Sequence, residues 1–288
     1  MNKIFRMGLC LTLFVLTTGC ASPSPQPDPT PTAFPTLTAE PTSVPEPSMT
    51  AESSPAPTSN VETGQRAFFS EKAQRNYWLF LPSSYGKDPQ KKFPLILFLH
   101  GAGTRGTDIN LVKFEALPQI LDFTPDFPFI VVSPQLTNQG GDDYWFREKP
   151  TESVMTLLDE VQSTYAVDPK RVYLTGVSIG GNGAWVYGLQ HPGRFAALVP
   201  VMGFVGDTGG TYVPENICHL KSVPVWAFHG AKDSIVPLQA EQDLVDALKA
   251  CGGNVQFTVY PDGDHDISGR VYNNNPELFE WLAAQSLK

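Results

Sequence analysis

A serine in a Gly-x-Ser-x-Gly pattern is the residue of this chain best suited to act as a nucleophile. Ser178 lies in the segment 176–180 (GVSIG), between a strand pattern at 171–175 and a helix pattern that follows. A sharp strand-to-helix turn leaves no room for a Cβ on either side of the serine, so the flanking glycines let its hydroxyl project. A phosphate-binding glycine loop is disfavoured because no Lys-Ser or Lys-Thr pair follows the glycines.

A nucleophilic serine needs a base to accept its proton, and that base needs an acid that orients it. His265 and Asp233 supply these two groups, in the chain order Ser178, Asp233, His265. The negative oxygen formed during attack also needs hydrogen-bond donors. The backbone N–H groups of Ile179, at a helix start, and Ala102, in a His-Gly-Ala-Gly turn, are the candidates for this oxyanion hole.

Other roles remain open for the acidic residues. Asp233 lies in a Lys-Asp-Ser turn and is also suited to capping a helix. Asp262, Asp264 and Asp266 surround His265 and are alternative acids, although immediate neighbours in a turn usually point away from the ring. Their clustering also suits calcium, but the oxygen spacing of an EF-hand is absent.

The polar residues follow short apolar runs that alternate with helical stretches. Strands are predicted at 77–81, 94–99, 129–133, 171–175, 197–202, 223–228 and 255–260, and helices at 151–165, 179–190, 239–250 and 276–285. Runs that are apolar on both faces indicate a doubly wound, mostly parallel α/β sheet, with the first strands antiparallel. Ligands bind at the carboxyl ends of the strands in such sheets, where these polar residues fall.

Three further residues near these strand ends are predicted to bind substrate: Gln135, Trp145 and Phe204. Two histidines, His100 and His229, also follow or end strands in His-Gly turns. We expect both to brace loops by hydrogen bonding rather than to act as bases.

The first twenty residues predict an export signal. Two basic residues precede a short apolar run at 7–16, and small residues precede Cys20. The segment resembles a bacterial lipoprotein signal, in which the cysteine after the cut is acylated, although Thr17 stands where that pattern prefers Leu. We expect an exported cell-surface lipoprotein, with simple secretion as the alternative.

Residues 21–60 contain eleven of the 27 prolines, together with many Ser and Thr residues, and predict a disordered linker. The remaining segment, 61–288, has the length of one well-buried domain. The formal net charge is −9 and no basic patch appears, so nucleic acid is excluded as an expected partner. Membrane contact is expected only through a lipid anchor.

Two cysteines fall inside the predicted domain, Cys218 and Cys251. Export to an oxidising compartment favours a disulfide between them. Metal ligation is the alternative, but neither cysteine has a Cys-x-x-Cys or histidine partner at zinc spacing. No metal site is therefore expected.

With these residues in place, the domain resembles α/β-hydrolases of the esterase and predicted-peptidase group related to feruloyl esterases and polyhydroxybutyrate depolymerases. The motifs that carry the resemblance are PLILFLHGAGTRG, FIVVSPQ, DPKRVYLTGVSIGGNGAW, PGRFAALVPV, PVWAFHGAKDSIVP, ALKACGGNVQFTVYPDGDHD and NPELFEWL. Together they span 94–282, most of the domain.

The resemblance implies a nucleophile at Ser178, an acid at Asp233, a base at His265 and oxyanion donors at Ala102 and Ile179. It implies a serine esterase without cofactors. The short segment 203–222 leaves no room for a large cap domain, and an open cleft suits feruloyl or acetyl esters linked to plant polysaccharides. A peptidase with the same triad, or a non-catalytic binding module, is the alternative. The sequence gives no indication of the oligomeric state.

Two departures from the family pattern accompany this resemblance. The family often has Ser-Trp shortly after the histidine, where this chain has Asp266, Ile267 and Ser268. Cys251 replaces the small residue usual before Gly-Gly, which supports a local disulfide.

Overall fold

The structure is a computed structural model that describes residues 61–137, 144–206 and 210–288. The predicted signal at 1–20, with Cys20, and the predicted linker at 21–60 lie outside the described residues. Within the part of the chain that the structure describes, no helix is long and apolar enough to cross a membrane.

One eight-stranded sheet organises the domain, in the spatial order β1-β2-β4-β3-β5-β6-β7-β8. The strands are β1 (Gly64–Ser70), β2 (Arg75–Leu81), β3 (Phe93–Leu99), β4 (Ile130–Pro134), β5 (Val167–Val177), β6 (Ala197–Val201), β7 (Val225–Gly230) and β8 (Val255–Tyr260). The six strands from β3 to β8 run parallel, whereas β1 and β2 pair antiparallel. The predicted doubly wound, mostly parallel sheet is confirmed.

Seven α-helices and two 3-10 helices connect the strands in the described residues. They are α1 (Asn110–Lys113), α2 (Ala116–Leu121), α3 (Glu148–Thr164), α4 (Ile179–Gln190), α5 (Leu238–Ala250), α6 (Ser268–Tyr272) and α7 (Pro276–Ala283), with 3-10 helices at Ala102–Thr104 and Ile217–Ser222. The four predicted helices correspond to α3, α4, α5 and α7. The short helices α1, α2 and α6 were not predicted because four to six residues are too few to show a helical period.

The apolar residues of the central strand β3 divide between two cores. Leu95, Leu97 and Leu99 pack with residues of α3, α4 and α5 on one face of the sheet. Ile96 and Phe98 pack with residues of α2, α6 and α7 on the other face. Since both faces are covered by helices, a parallel strand in this position must be apolar throughout, as the PLILFL run is.

The connection from β6 to β7 runs from 202 to 224 and is too short to form a large cap domain. Cys218, in its 3-10 helix, is joined by a disulfide to Cys251, at the end of α5, with a Cα–Cα distance of 5.5 Å. This covalent link ties the connection to the helix that follows β7.

Candidate active site

Ser178 stands on the turn between β5 and α4, in a strained conformation. Its φ of 56° lies in the left-handed region, which a residue with a Cβ adopts only where the surrounding structure enforces it. The Ser178 N–H donates to the Val201 carbonyl at 2.9 Å. A Cβ at Gly180 would overlap the Leu99 carbonyl oxygen, and one at Gly176 would overlap the backbone of Gly180. The glycines therefore allow the close approach that exposes the serine.

The three predicted triad residues form a continuous hydrogen-bonded series. His265 Nε2 lies 3.0 Å from Ser178 Oγ, and His265 Nδ1 lies 2.7 Å from Asp233 Oδ2. The other carboxylate oxygen, Oδ1, accepts the N–H groups of Ile235 at 2.8 Å and Val236 at 2.9 Å. The carboxylate of Asp233 is fully buried, whereas 23% of the His265 side chain is exposed. The ring can therefore reach a substrate while the acid behind it is shielded.

The other carboxylates near His265 have different partners. Asp262 forms an exposed ion pair with Arg270. Asp264 and Asp266 accept backbone hydrogen bonds within their own turn. Within the described ranges, no group of three or more His, Cys, Asp or Glu side chains is arranged to hold a metal ion.

The two candidate oxyanion donors both lie at helix starts. Ile179 is the first residue of α4, and Ala102 is the first residue of the 3-10 helix after β3. N–H groups in the first turn of a helix have no acceptor within that helix, so they are available to a ligand. Ala102 also lines the same cavity as Ser178 and His265.

His100 holds the loop that contains Ala102. Its Nε2 accepts the Leu136 N–H at 2.9 Å, so the ring proton lies on Nδ1, which donates to the Gly101 carbonyl at 2.6 Å. Burial lowers the pKa of His100 to about 4, and the ring is therefore neutral near pH 7. This histidine braces the loop, as its position in the sequence predicts.

The side chains of Gln135, Trp145 and Phe204, which were predicted to bind substrate, are buried and do not line the cavity that contains Ser178 and His265. Gln135 is buried, and its amide donates to the carbonyls of Thr104 at 2.9 Å and Asp108 at 2.8 Å. Trp145 is fully buried and donates to the His100 carbonyl at 2.9 Å. Phe204 belongs to the core under α4. Gln135 and Trp145 follow strand ends, but their side chains point into the protein. Their hydrogen bonds hold the segment 100–108, the candidate oxyanion loop that contains Ala102.

A cavity of about 560 Å³ opens over the triad. The residues that form its wall beside Ser178 and His265 include Phe114, Glu115, Met202, Ile235 and Asp266. Two of these wall residues are apolar and largely exposed, with Phe114 71% and Ile235 65% accessible. Sequence reasoning missed both residues. Phe114 lies in no motif or periodic segment, and Ile235 lies in the motif PVWAFHGAKDSIVP, in which only Asp233 was singled out for the site.

Glu115 brings a carboxyl group into this cavity, directly beside the oxyanion loop. Its Oε1 accepts the Gly101 N–H at 3.1 Å, and its Oε2 accepts the Thr104 hydroxyl at 2.6 Å. Burial raises the pKa of Glu115 above its ordinary value. The next residue, Ala116, has a φ of 49°, so the local backbone is strained where it presents this carboxyl.

Comparison with known proteins agrees with this fold. A profile of the family described as Phospholipase/Carboxylesterase matches residues 86–274. A putative carboxymethylenebutenolidase of Salmonella typhimurium is 28% identical over 153 residues, which are 48% of this chain and 57% of that protein. The chain thus spans a little over half the length of that relative.

Solved structures of esterases resemble the domain. A thermostable esterase superposes with a TM-score of 0.64 and 29% identity, over 77% of this chain and 62% of the esterase. A ferulic acid esterase superposes with a TM-score of 0.59 and 20% identity, over 76% of this chain and 97% of that enzyme, a likeness of fold. The matched segment covers most of the described domain, and the chain is a member of the Phospholipase/Carboxylesterase family of hydrolases, with the α/β-hydrolase fold.

Proposed function

We propose that this protein is a serine carboxylic-ester hydrolase that works through an acyl-serine intermediate. The observation that carries the proposal is the hydrogen-bonded series from Ser178 through His265 to Asp233 at the base of the open cavity. A serine hydroxyl on a strained turn, a base within hydrogen-bonding distance and a buried acid behind that base are the arrangement that activates a serine.

In the first half of the reaction, the Ser178 Oγ attacks the ester carbonyl carbon while its proton passes to His265 Nε2. Asp233 supports the positive charge that develops on the ring. The N–H groups of Ala102 and Ile179 stabilise the negative oxygen. When this intermediate collapses, the bond between carbon and the alcohol oxygen breaks, and His265 returns the proton to the departing alcohol.

In the second half, water takes the place of the alcohol. His265 removes a proton from the water, whose oxygen attacks the acyl carbon, and the proton then passes to Ser178 Oγ as the acyl bond breaks. The acid is released and the free serine is regenerated. These steps need only water and groups of this chain, so we propose no metal or organic cofactor.

The charges and apolar surfaces of the cavity support an uncharged acyl group as the substrate. Glu115 and Asp266 contribute carboxyl groups to the wall, and no Lys or Arg of the described residues lines it. An anionic acyl group would be repelled, whereas Phe114 and Ile235 offer apolar contact at the rim. Feruloyl and acetyl esters meet this condition. The open cleft favours a bulky, polysaccharide-linked alcohol outside the cavity.

A substrate panel tests the proposal. We expect the purified domain to hydrolyse p-nitrophenyl acetate and methyl ferulate, to release acetate from acetylated xylan, and to leave a peptide anilide intact. The Ser178→Ala variant should lose about 10⁶-fold in turnover and all labelling by a fluorophosphonate. Preferential cleavage of the anilide would instead assign a peptidase, and full activity of the variant would exclude the serine mechanism.

We also propose that the enzyme is exported and tethered to the cell surface by a lipid on Cys20. The signal-like segment and the linker support this location, and the disulfide between Cys218 and Cys251 suits an oxidising compartment. The Cys20→Ala variant should lose incorporation of a labelled fatty acid and leave the membrane fraction. Equal labelling of the variant and the parent would contradict the anchor.

A further inference from the structure

A buried imidazole and carboxyl pair, which the mechanism above does not use, lies directly behind the triad. His229 is in β7 and Glu241 is in the first turn of α5, and both side chains are fully buried. His229 Nδ1 lies 2.7 Å from Glu241 Oε2. His229 Nε2 lies 3.0 Å from the Val236 carbonyl oxygen and 3.4 Å from Asp233 Oδ2. The ring therefore connects α5 to the loop that carries the triad acid.

The contacts of this ring show where its protons are. The Val236 carbonyl can only accept, so His229 Nε2 carries a hydrogen. Since Nδ1 faces a carboxyl oxygen at hydrogen-bonding distance, a second proton lies between His229 and Glu241. Glu241 Oε1 also accepts from the Trp185 indole N–H at 3.2 Å, and the Gly203 N–H donates to the same carboxyl group. This surrounding set of donors favours an ionised Glu241 beside a doubly protonated ring.

The pKa directions agree that the pair retains this proton. Burial by itself lowers the pKa of His229, but the hydrogen bond and charge of Glu241, the Val236 carbonyl and Asp233 outweigh it and raise that pKa. Burial raises the pKa of Glu241 by more than its hydrogen-bond donors lower it. Both shifts oppose loss of the shared proton near neutral pH.

The same Asp233 oxygen faces two imidazole rings. Oδ2 is bonded to His265 Nδ1 at 2.7 Å and lies 3.4 Å from His229 Nε2. Oδ1 is occupied by the N–H groups of Ile235 and Val236. His229 Nε2 therefore lies beside the oxygen through which Asp233 holds His265.

We propose that His229 and Glu241 are positioning residues of the triad, whose shared proton keeps a His229 N–H beside Asp233 and so holds that carboxylate aligned on His265. This inference rests on the proposed serine mechanism. A pair that only fastened α5 to the sheet would contribute to stability but would not affect kcat in a variant that folds.

The Glu241→Gln variant tests the shared proton, because glutamine has the same shape but cannot stabilise a charged ring. We expect kcat for p-nitrophenyl acetate to fall about 10-fold with KM changed less than about twofold, as for loss of an interaction specific to the transition state.

Two substitutions of His229 separate the two sides of its ring. Glutamine is long enough to place an amide N–H near the position of Nε2, toward Val236 and Asp233, whereas asparagine reaches only the position of Nδ1, toward Glu241. If the N–H at the position of Nε2 positions Asp233, the kcat of His229→Gln should be at least about threefold higher than that of His229→Asn. A purely structural role predicts no such order.

Ser70→Ala provides a matched control far from the site, on β1. Ser70 is buried, donates to Glu160 and accepts the Ala73 N–H, so its loss removes buried hydrogen bonds. Its melting temperature should fall by a few degrees while kcat and the pH profile remain those of the parent.

A Glu241→Gln variant with the parent's kcat would overturn the positioning role, as would equal losses in both His229 variants. If Glu241→Gln does not fold, the kcat values of the two His229 variants decide. Failure of all three variants to fold would assign the pair to folding alone. In each of these cases the serine mechanism itself stands as long as Ser178→Ala is inactive.

Discussion

Replacing Asp233 by asparagine should reverse the tautomer of His265. The carboxylate oxygen Oδ1 accepts two backbone N–H groups, those of Ile235 and Val236, so the asparagine carbonyl oxygen must take that place. Its NH₂ group then occupies the position of Oδ2, 2.7 Å from His265 Nδ1. Two donors cannot face each other, and Nδ1 must therefore become the acceptor. The ring proton moves to Nε2, which can no longer accept the proton of Ser178.

The expected loss is about 10⁴-fold in kcat, or about 5.4 kcal/mol of transition-state stabilisation. Rotating the asparagine amide by 180° would not restore activity, because its NH₂ group would then face the N–H groups of Ile235 and Val236 and two backbone hydrogen bonds would be lost. The measurement is the steady-state rate with p-nitrophenyl acetate, with circular dichroism as the check on folding. The matched control is Asp264→Asn, in the turn beside His265, which should lose less than about threefold. A folded Asp233→Asn variant within tenfold of the parent, or a larger loss in the control, would refute the reasoning.

Three further predictions concern packing, covalent structure and charge. Gly180→Ala should destabilise the fold by at least about 2 kcal/mol in denaturant unfolding, because its Cβ would overlap the carbonyl at the end of β3. Gly269→Ala, where a Cβ meets open space, should change stability by less than about 1 kcal/mol, and equal effects would contradict the steric argument. The disulfide between Cys218 and Cys251 closes a separation of 33 residues, so its reduction should lower the free energy of unfolding by up to about 3.7 kcal/mol. The melting temperature should fall by several degrees, with activity at room temperature unchanged. Free thiols found by mass spectrometry in exported protein would contradict the pairing. A p-nitrophenyl ester ending in a carboxylate should react at least about 10-fold more slowly than a neutral ester of equal length. Because burial raises the pKa of Glu115, this preference should grow as rising pH ionises that group. A ratio of the two kcat/KM values that stays constant from pH 5 to 8 would exclude the charge of Glu115 from selectivity.

The strongest sequence predictions concern features with a local physical cause. Gly176 is required by steric overlap within the turn itself, because a Cβ there would meet the backbone of Gly180, so the turn can be inferred from the local pattern. Gly180 is required by the Leu99 carbonyl of the neighbouring strand β3, a contact that only the folded protein shows. The residues of β3 are apolar on both faces, and this pattern by itself indicates a central parallel strand. Strand β1 is different, since it lies at the sheet edge with Phe69 half exposed and shows no clear pattern.

The direction in which a side chain points from a strand end is decided only by tertiary packing. Trp145 and Phe114 are both aromatic residues near polar strand ends, but the first is sealed beneath the oxyanion loop and the second stands at the cavity rim. Likewise, a His-Gly turn at the end of a strand does not reveal that His229 shares a proton with Glu241, twelve residues away on the next helix. The sequence by itself determined the chain order of the triad residues, with Ser178 on a turn that only glycine neighbours permit. Packing between distant elements determined the cavity wall and the groups behind the triad, because burial and hydrogen-bond partners depend on chain segments that meet only in the folded protein.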